Sequence, residues 1–186
     1  GKPMERMAID LVGPNPSTPR QNIYILTAID SFSRYMWAVP IRNKLARTVI
    51  AALHRYVFSV WGLCREIYSD QGGEFNNELM DSICKEYGIK KMRTSPYRAS
   101  SNGKCERTHR TIHSMLAKSV EKDQKNWDLV LSSVAMAYNT NVHASLGCTP
   151  FSLMTGREAL MPIDLGIKKP MKPVTNAGAM GYRDWL

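Results

Sequence analysis

The stretch Ile23–Ile29, which reads Ile-Tyr-Ile-Leu-Thr-Ala-Ile, is an almost uninterrupted run of apolar residues, and four of its seven residues are β-branched. Such a run is typical of a strand that is buried on both faces of a sheet. Similar segments flank it: Met4–Val12 ends at the breaker pair Gly13-Pro14, and Tyr35–Ile41 follows a short polar turn. Because Pro40 cannot donate a main-chain hydrogen bond, we expect the third strand to lie at an edge or to end there.

Helices and strands alternate further along the chain. Leu45–Trp61 carries apolar residues at three- and four-residue spacing and stops at Gly62, which predicts a helix. The remaining predicted elements are strands Glu66–Ser69 and Ile89–Ser95 and helices Asn76–Tyr87, Asn102–Lys122, Asn126–Tyr138 and Thr149–Gly156. Three antiparallel strands followed by this alternation indicate an α/β fold. We expect a mixed five-stranded sheet, three strands antiparallel and then two parallel, flanked by helices on both faces.

The composition narrows the class of protein. A chain of 186 residues with 44% hydrophobic residues can form one domain with a sizeable core, and no apolar run approaches the length of about 20 residues that a membrane span needs. The four cysteines form no CxxC pair, so we expect reduced, buried thiols in an intracellular protein. After residue 165 the sequence becomes rich in Gly, Lys and Pro. We therefore predict a domain over 1–165 and a linker or C-terminal tail over 166–186.

The chain has an excess of positive charge. Lys and Arg number 25 against 16 Asp and Glu, a formal net charge of +9, which makes nucleic acid the first class of partner to consider. Residues 89–113 hold seven basic residues and a single acid, Glu106, and so account for +6 of the total. The seven are Lys90, Lys91, Arg93, Arg98, Lys104, Arg107 and Arg110. The alternative interpretation of this run of basic residues is a solvent-exposed helix face without a binding function.

Three acids stand where the predicted fold could bring them together. Asp10 lies in the first strand, Asp70 follows the fourth, and Glu106 lies in the first turns of the long helix. Three carboxylates without paired cations repel one another, so a cluster of this kind would hold divalent metal, Mg²⁺ or Mn²⁺ in preference to Zn²⁺. Two such ions could activate an attacking oxygen and stabilise a leaving oxygen at phosphorus. Taken singly, each acid is more often a surface or capping residue.

Motifs around these acids carry a family resemblance. Asp70 and Glu106 are separated by 35 residues. The flanking motifs read Met7-Ala8-Ile9-Asp10-Leu11-Val12-Gly13-Pro14, Asp30-Ser31-Phe32-Ser33-Arg34, Ser69-Asp70-Gln71-Gly72-Gly73-Glu74-Phe75, Ser101-Asn102-Gly103-Lys104-Cys105-Glu106-Arg107 and, downstream, Ala137-Tyr138-Asn139 with Thr149-Pro150-Phe151. In these motifs the sequence resembles the catalytic cores of retroviral and Gypsy-type LTR-retrotransposon integrases, or of their host-domesticated descendants, which carry a D,D-35-E triad on a ribonuclease-H-like fold.

The resemblance implies a function and a site. It implies a Mg²⁺-dependent DNA integrase that processes DNA 3′ ends and transfers them into target DNA. Two Mg²⁺ or Mn²⁺ ions would be held by Asp10, Asp70 and Glu106. The expected DNA contacts are Tyr97, Asn102, Lys104, Arg107 and Arg110. It also implies a homodimer or higher oligomer, with the helices Leu45–Trp61 and Asn126–Tyr138 as interface candidates. A nuclear location, preceded by a cytoplasmic particle if an element encodes the chain, and no membrane partner are expected.

Two other functions stay open. The family commonly has Y-H-P-Q-S-N-G in the catalytic loop, whereas residues 97–103 read Tyr-Arg-Ala-Ser-Ser-Asn-Gly. This departure favours a domesticated, catalytically idle domain that acts as a DNA-binding or protein-interaction module. An intact triad favours the enzyme. A ribonuclease-H-like nuclease would share the metal site but not the downstream motifs.

Overall fold

The computed structural model describes residues 1–70, 72–93, 114, 116 and 125–161. Their strands form one five-stranded sheet in the order β3-β2-β1-β4-β5. The strands are β1 (Arg6–Val12), β2 (Tyr24–Asp30), β3 (Met36–Ile41), β4 (Glu66–Ser69) and β5 (Lys90–Arg93). β1 pairs antiparallel with β2 and β2 with β3, whereas β4 pairs in parallel with both β1 and β5. The expected mixed sheet is confirmed.

The first three strands follow the hydrophobic pattern. Every residue of β2 except Tyr24 is buried, as its apolar run predicts. β3, which contains Pro40, lies at one edge of the sheet, also as predicted. The Asn139 side chain covers part of this edge: its amide oxygen accepts from the Met36 N–H at 2.8 Å, and its amide nitrogen donates to the Met36 carbonyl at 2.8 Å. A side-chain amide thus satisfies the main-chain groups of Met36 where no further strand pairs.

The helices begin and end at the residues that sequence signals favour. α1 (Ala46–Leu53) continues through a π-helical segment (His54–Phe58) into α2 (Ser59–Trp61). The others are α3 (Glu78–Glu86), α4 (Trp127–Thr140) and α5 (Pro150–Thr155). Side chains cap two of them, because Asn77 accepts from the Met80 N–H and Thr149 from the Ser152 N–H. Of the predicted helix Asn102–Lys122, only Ser114 and Leu116 are described, and both are helical.

Two apolar cores lie on opposite faces of the sheet, as expected. On one face, side chains such as Val49, Leu53 and Met80 pack with Ile9 and Leu26. On the other, the α4 residues Leu131 and Val134 pack with Ile25 and Ile29, joined by Leu116. Cys64, Cys84 and Cys148 are buried free thiols, as predicted. No helix in the described ranges is long and apolar enough to span a membrane. The predicted boundary at residue 165 lies outside these ranges.

Strand direction places several chain segments at one end of the sheet. β1, β3, β4 and β5 all run the same way, and β2 alone runs opposite to them. We call the end at which β1, β3, β4 and β5 finish the carboxyl edge. The turn that leaves β1 there depends on Gly13, whose φ is +138° and where a Cβ would stand 2.8 Å from the Ile23 carbonyl oxygen. Only glycine fits this close approach.

Candidate active site

Asp10 lies in β1, and Asp70 directly follows the adjacent parallel strand β4. In the parallel β1–β4 ladder Arg6 pairs with Glu66, Met7 with Ile67 and Ala8 with Tyr68, a constant offset of 60 residues. The same offset carries Asp10 to Asp70, which directly follows β4. Neighbouring strands lie about 4.8 Å apart, so the two residues belong to adjacent strand ends at the carboxyl edge. The predicted adjacency of the first and fourth strands is confirmed.

Main-chain hydrogen bonds orient both carboxylates. Asp10 is partly exposed in β1, and its Oδ1 accepts from the Leu11 N–H at 2.7 Å. Asp70 is exposed, and its Oδ1 accepts from the Gly72 N–H at 2.9 Å. The Thr27 hydroxyl of β2 also donates to the Asp10 carbonyl at 3.1 Å, which ties the site strand to its neighbour. One oxygen of each carboxylate is therefore held by the local backbone.

A third carboxylate, which the sequence analysis did not assign to the site, lies beside Asp70. A Cβ placed on Gly72 would stand 3.0 Å from Asp70 Oδ1, 2.8 Å from Glu74 Cδ and 3.0 Å from Glu74 Oε1. Both side chains therefore lie over the bare Cα of Gly72. Glu74 stands within the motif quoted above for residues 69–75. The sequence signal was present, but only the turn geometry shows that Glu74 folds back towards Asp70.

The donor chemistry at this edge fits a hard divalent cation. Carboxylate oxygens are the ligands that Mg²⁺ and Mn²⁺ prefer, and Asp10 and Asp70 supply them from two fixed strand ends. Within the ranges that the structure describes, no group of three or more His, Cys, Asp or Glu residues is arranged to hold a metal ion. Glu106, the third predicted ligand, lies outside the described residues. So do the predicted DNA contacts Tyr97, Asn102, Lys104, Arg107 and Arg110. These assignments stay predictions.

Asp30, at the opposite end of the sheet, has a structural role. Its side chain is fully buried. Oδ1 accepts from the Met4 N–H at 2.9 Å, and Oδ2 accepts from both the N–H and the hydroxyl of Ser33 at 2.7 Å. The Asp-x-Phe-Ser motif thus closes the β2–β3 turn and fixes the start of the chain to it. Its place in the resemblance reflects folding rather than chemistry.

A buried carboxylate that the sequence analysis missed fixes the loop after β1. Asp128, in the first turn of α4, has a side chain only 1% exposed. Its Oδ2 accepts from Thr18 Oγ1 at 2.9 Å, Arg20 Nε at 2.8 Å and Asn22 Nδ2 at 2.8 Å. The hydrogen bond from Arg20 is the main reason that the pKa of Asp128 falls to about 2. This loop leaves the carboxyl edge directly after the Asp10 strand, and Asp128 holds it through these hydrogen bonds.

No sequence pattern could have identified the partners of Asp128. They lie 106–110 residues away along the chain, on a loop with no regular periodicity. An acid in the first turn of a helix is favourable for the helix dipole alone, which is the ordinary interpretation of such a residue. The structure adds a second anchor, because Trp127 Nε1 donates to the Pro16 carbonyl at 2.7 Å. Two consecutive residues of α4 thereby hold the β1–β2 loop.

The family follows from comparison with known proteins. Residues 1–99, more than half of the chain, match the integrase core domain family. The chain belongs to this family. It is 27% identical over 172 residues to the retrovirus-related Pol polyprotein from transposon 412 of Drosophila melanogaster, covering 92% of this chain and 14% of that polyprotein. It is 29% identical over 160 residues to the Gypsy retrotransposon integrase-like protein 1 of Pongo abelii, covering 86% of this chain and 30% of that protein. This chain thus spans less than a third of the length of these relatives.

Solved structures of integrase cores share the fold. The HTLV-2 integrase catalytic core domain in complex with magnesium, in a trimeric form, superposes with a TM-score of 0.68 at 19% identity. The match covers 82% of this chain and 97% of that one. The same HTLV-2 core domain is also known in a dimeric form. The mixed sheet described above is therefore the ribonuclease-H-like fold of integrase cores, as the motifs implied. The chain is an integrase core domain of the retroviral and retrotransposon type.

Proposed function

We propose that this integrase core domain is an active, Mg²⁺-dependent polynucleotidyl transferase that processes DNA 3′ ends and joins them to target DNA. The observation that carries the proposal is the parallel pairing of β1, which contains Asp10, with β4, which Asp70 directly follows. Both are held by main-chain hydrogen bonds, and both lie on a chain whose family and fold are those of integrase cores. A structural carboxylate such as Asp30 would instead be buried and fully hydrogen-bonded.

Asp10, Asp70 and Glu106 would hold Mg²⁺, or Mn²⁺ in its place. When bound, two such ions supply an acidified attacking oxygen and offset the negative charge that develops at phosphorus. The magnesium named for the HTLV-2 core supports the identity of the ion. The chain itself contributes fixed ligand positions, because β1 and β4 set the spacing of Asp10 and Asp70 and the turn at Gly72 orients Asp70.

The reaction is two successive in-line displacements at phosphorus. In the first, a bond forms from a water oxygen to phosphorus and the bond to the retained DNA 3′ oxygen breaks. That oxygen takes up a proton, and the departing fragment keeps the phosphate. In the second, the retained 3′ hydroxyl loses its proton and bonds to a target phosphorus, while the 3′ oxygen of the cut target strand leaves and is protonated. The site residues hold the attacking and leaving oxygens in line.

The DNA contacts, assembly and location belong to the same proposal. Tyr97, Asn102, Lys104, Arg107 and Arg110 contact the DNA end, as the local net charge of +6 over residues 89–113 supports. The chain assembles as a homodimer or higher oligomer, in line with the dimeric and trimeric forms of the HTLV-2 core. It acts in the nucleus, after a cytoplasmic particle if an element encodes it.

A second candidate function is a catalytically idle integrase-like module that binds DNA or protein. The observation that favours it is the catalytic loop, in which Arg98 and Ala99 stand where the family commonly has His-Pro. The idle module and the enzyme would share the fold, the basic charge and DNA binding. They differ in whether the acids at the carboxyl edge bind metal and support joining.

The test is a strand-transfer assay on labelled duplex DNA with Mg²⁺ or Mn²⁺. Asp70→Asn and Glu106→Gln are compared with the original sequence and with Glu86→Gln, which removes an exposed acid at the far end of α3. We expect transfer by the original sequence and Glu86→Gln and none by the two site variants. Transfer that survives both site substitutions would overturn the assignment of the acids. A chain that binds DNA but shows neither transfer nor a thermal shift with Mn²⁺ is the idle module.

A further inference from the structure

A second basic segment, which the sequence analysis did not single out, lies in the first half of the chain. From Ser31 to Arg65 the chain contains six basic residues and no Asp or Glu. The six are Arg34, Arg42, Lys44, Arg47, Arg55 and Arg65. The net charge of +6 in these 35 residues equals that of the segment around Glu106. Unlike that segment, residues 31–65 are all described by the structure.

The fold places five of the six basic residues at the two ends of the sheet, and the sixth, Arg55, lies in the π-helical segment His54–Phe58. β3 ends at Ile41, on the carboxyl edge, and α1 begins at Ala46. The three exposed basic side chains at this junction, Arg42, Lys44 and Arg47, are named the basic corner here. Arg34, in the β2–β3 turn, and Arg65, directly before β4, lie at the opposite end.

Hydrogen bonds order the main chain of the basic corner. Asn43 Oδ1 accepts from the Leu45 N–H at 3.1 Å and from Thr48 Oγ1 at 2.7 Å. The Leu45 carbonyl in turn accepts from the N–H groups of Thr48 and Val49 at 2.9 and 3.1 Å. The three cations therefore project from a fixed turn, which reduces the entropy that binding a ligand would cost.

The charge of the basic corner is not neutralised by the part of the chain that the structure describes. Ion pairs there join Arg6 to Glu66, Arg20 to Asp128 and Lys91 to Asp81, and none involves the basic corner. The first turn of α1 contains no acid. Three adjacent exposed cations with no ion-pair partner among the described residues produce a local positive potential that attracts polyanions.

The register gives the distance from the basic corner to the proposed site. Asp10 is level with Thr27 and Ala38, and β3 continues for three residues past Ala38 to Ile41. Three residues along a strand and two strand spacings across the sheet amount to roughly 15 Å. Because one DNA strand advances about 3.4 Å per nucleotide, a phosphate at the basic corner would lie roughly four to five nucleotides from one at Asp10.

We propose that the basic corner binds the sugar-phosphate backbone of duplex DNA that enters the site at the carboxyl edge. This inference rests on the proposed function, because it takes DNA to be the substrate at Asp10 and Asp70. Contacts of this kind fix the position of the duplex and are independent of its sequence. Arg42 and Arg47 can each make bidentate contacts to phosphate oxygens, and Lys44 adds a point charge.

The test measures DNA binding without chemistry. The affinity of the chain for a duplex of about 20 base pairs is measured by fluorescence anisotropy in EDTA, between about 50 and 200 mM salt. The variant Arg42→Ala/Arg47→Ala is compared with Arg55→Ala/Arg65→Ala, which removes the same charge from exposed arginines outside the basic corner. Each phosphate contact contributes about 0.9 to the slope of log affinity against log salt, so we expect the first variant to lower the slope by up to about 1.8 and the control to leave it unchanged.

Every outcome decides the inference. Equal loss of slope in both double variants would show a general charge effect and overturn it, as would an unchanged slope in Arg42→Ala/Arg47→Ala. Absence of DNA binding by the original chain would overturn it too. The proposed function is judged separately, by strand transfer. If the expected change in slope is found but no transfer occurs, DNA binding by the basic corner is supported and the proposed enzymatic function is rejected. In an active chain, single phosphates of the DNA strand can be replaced by neutral methylphosphonates. We expect the replacement to impair transfer when it lies roughly four to five nucleotides from the reacting phosphate.

Discussion

The two ends of the sheet carry the same side chain in opposite circumstances. At one end Asp30 is fully buried, and both of its oxygens accept hydrogen bonds from Met4 and Ser33. At the carboxyl edge Asp70 is exposed, and Asp10 is partly exposed. There one oxygen of each carboxylate accepts a hydrogen bond from the adjacent main chain. The first carboxylate closes a turn, and the other two face the surface where a ligand can reach them.

This difference separates residues that fold the protein from residues that act on a substrate. Burying a carboxylate costs free energy that only several hydrogen bonds can offset, so Asp30 contributes to stability through its partners. Like charges at adjacent strand ends, such as Asp10 and Asp70 at the carboxyl edge, repel each other and give the fold little in return. Substitutions at the two ends should therefore change different measurements.

Substitution of Asp10 should cause the largest effect, and on activity alone. Asp10→Asn keeps an oxygen that can accept from the Leu11 N–H but removes the negative charge. We expect strand transfer to fall about a thousandfold, which corresponds to roughly 4 kcal/mol in the activation barrier. The melting temperature should stay the same or rise slightly, because one repulsive charge is lost. A large fall in melting temperature that accompanies the loss of activity would contradict this prediction and show that Asp10, like Asp30, acts in folding.

Substitution of Asp30 should have the opposite profile. Asp30→Ala leaves the N–H groups of Met4 and Ser33 without their acceptor in a buried turn. We expect the free energy of unfolding to fall by about 3 kcal/mol, as measured by urea denaturation. Strand transfer per folded molecule, assayed well below the melting temperature, should remain within about twofold of the original, a change of under 1 kcal/mol. A selective loss of transfer in the folded variant would contradict the assignment of Asp30 to folding.

The sequence predicted the scaffold because the scaffold depends on local patterns. The apolar run of β2, Pro40 in β3 and the helix start at Thr149-Pro150 are each recorded within a few neighbouring residues. The adjacency of β1 and β4, the strands that lead to Asp10 and Asp70, was also predicted from the sequence. Patterns of this kind are sufficient to predict a feature that depends on a single strand or helix.

The interactions that the sequence did not predict depend on long-range contacts. Asp128 meets Arg20 only because α4 packs beside the β1–β2 loop, and Asn139 covers Met36 for a similar reason. The position of Glu74 beside Asp70 could not be predicted, because it depends on the conformation of the turn at Gly72. The charge of the basic corner was visible in the sequence, but its position at the carboxyl edge follows from the direction of β3. No periodicity encodes such pairs.

The Asp128 cluster gives a smaller, pH-dependent effect on stability. Since folding lowers the pKa of Asp128 from 3.8 to about 2, its contribution is complete above about pH 4 and is lost as the pH falls through about 2. Arg20 is half exposed, so solvent screens the pair, and we expect Asp128→Asn to cost roughly 1–2 kcal/mol at neutral pH. Urea denaturation should show the difference from the original chain narrowing between about pH 4 and pH 2. A difference that is constant across this window would exclude the charge of Asp128 as the cause.

The smallest effect should come from the turn that orients Asp70. A methyl group at residue 72 would stand within 3.0 Å of Asp70 Oδ1 and of the Glu74 carboxyl group, so Gly72→Ala must displace both. We expect transfer to fall about five- to tenfold, roughly 1 kcal/mol, with little change in stability.

Gly73→Ala is the matched control, because a Cβ at Gly73 meets no atom within 4 Å in the described structure. It makes the same chemical change one residue away in the same turn. If it reduced transfer as much as Gly72→Ala, the loss would reflect the flexibility of the turn. A loss confined to Gly72→Ala would show that the position of the Asp70 carboxylate limits the reaction. The carboxyl edge then differs from the Asp30 end in one further respect: small displacements there change the rate and leave the fold intact.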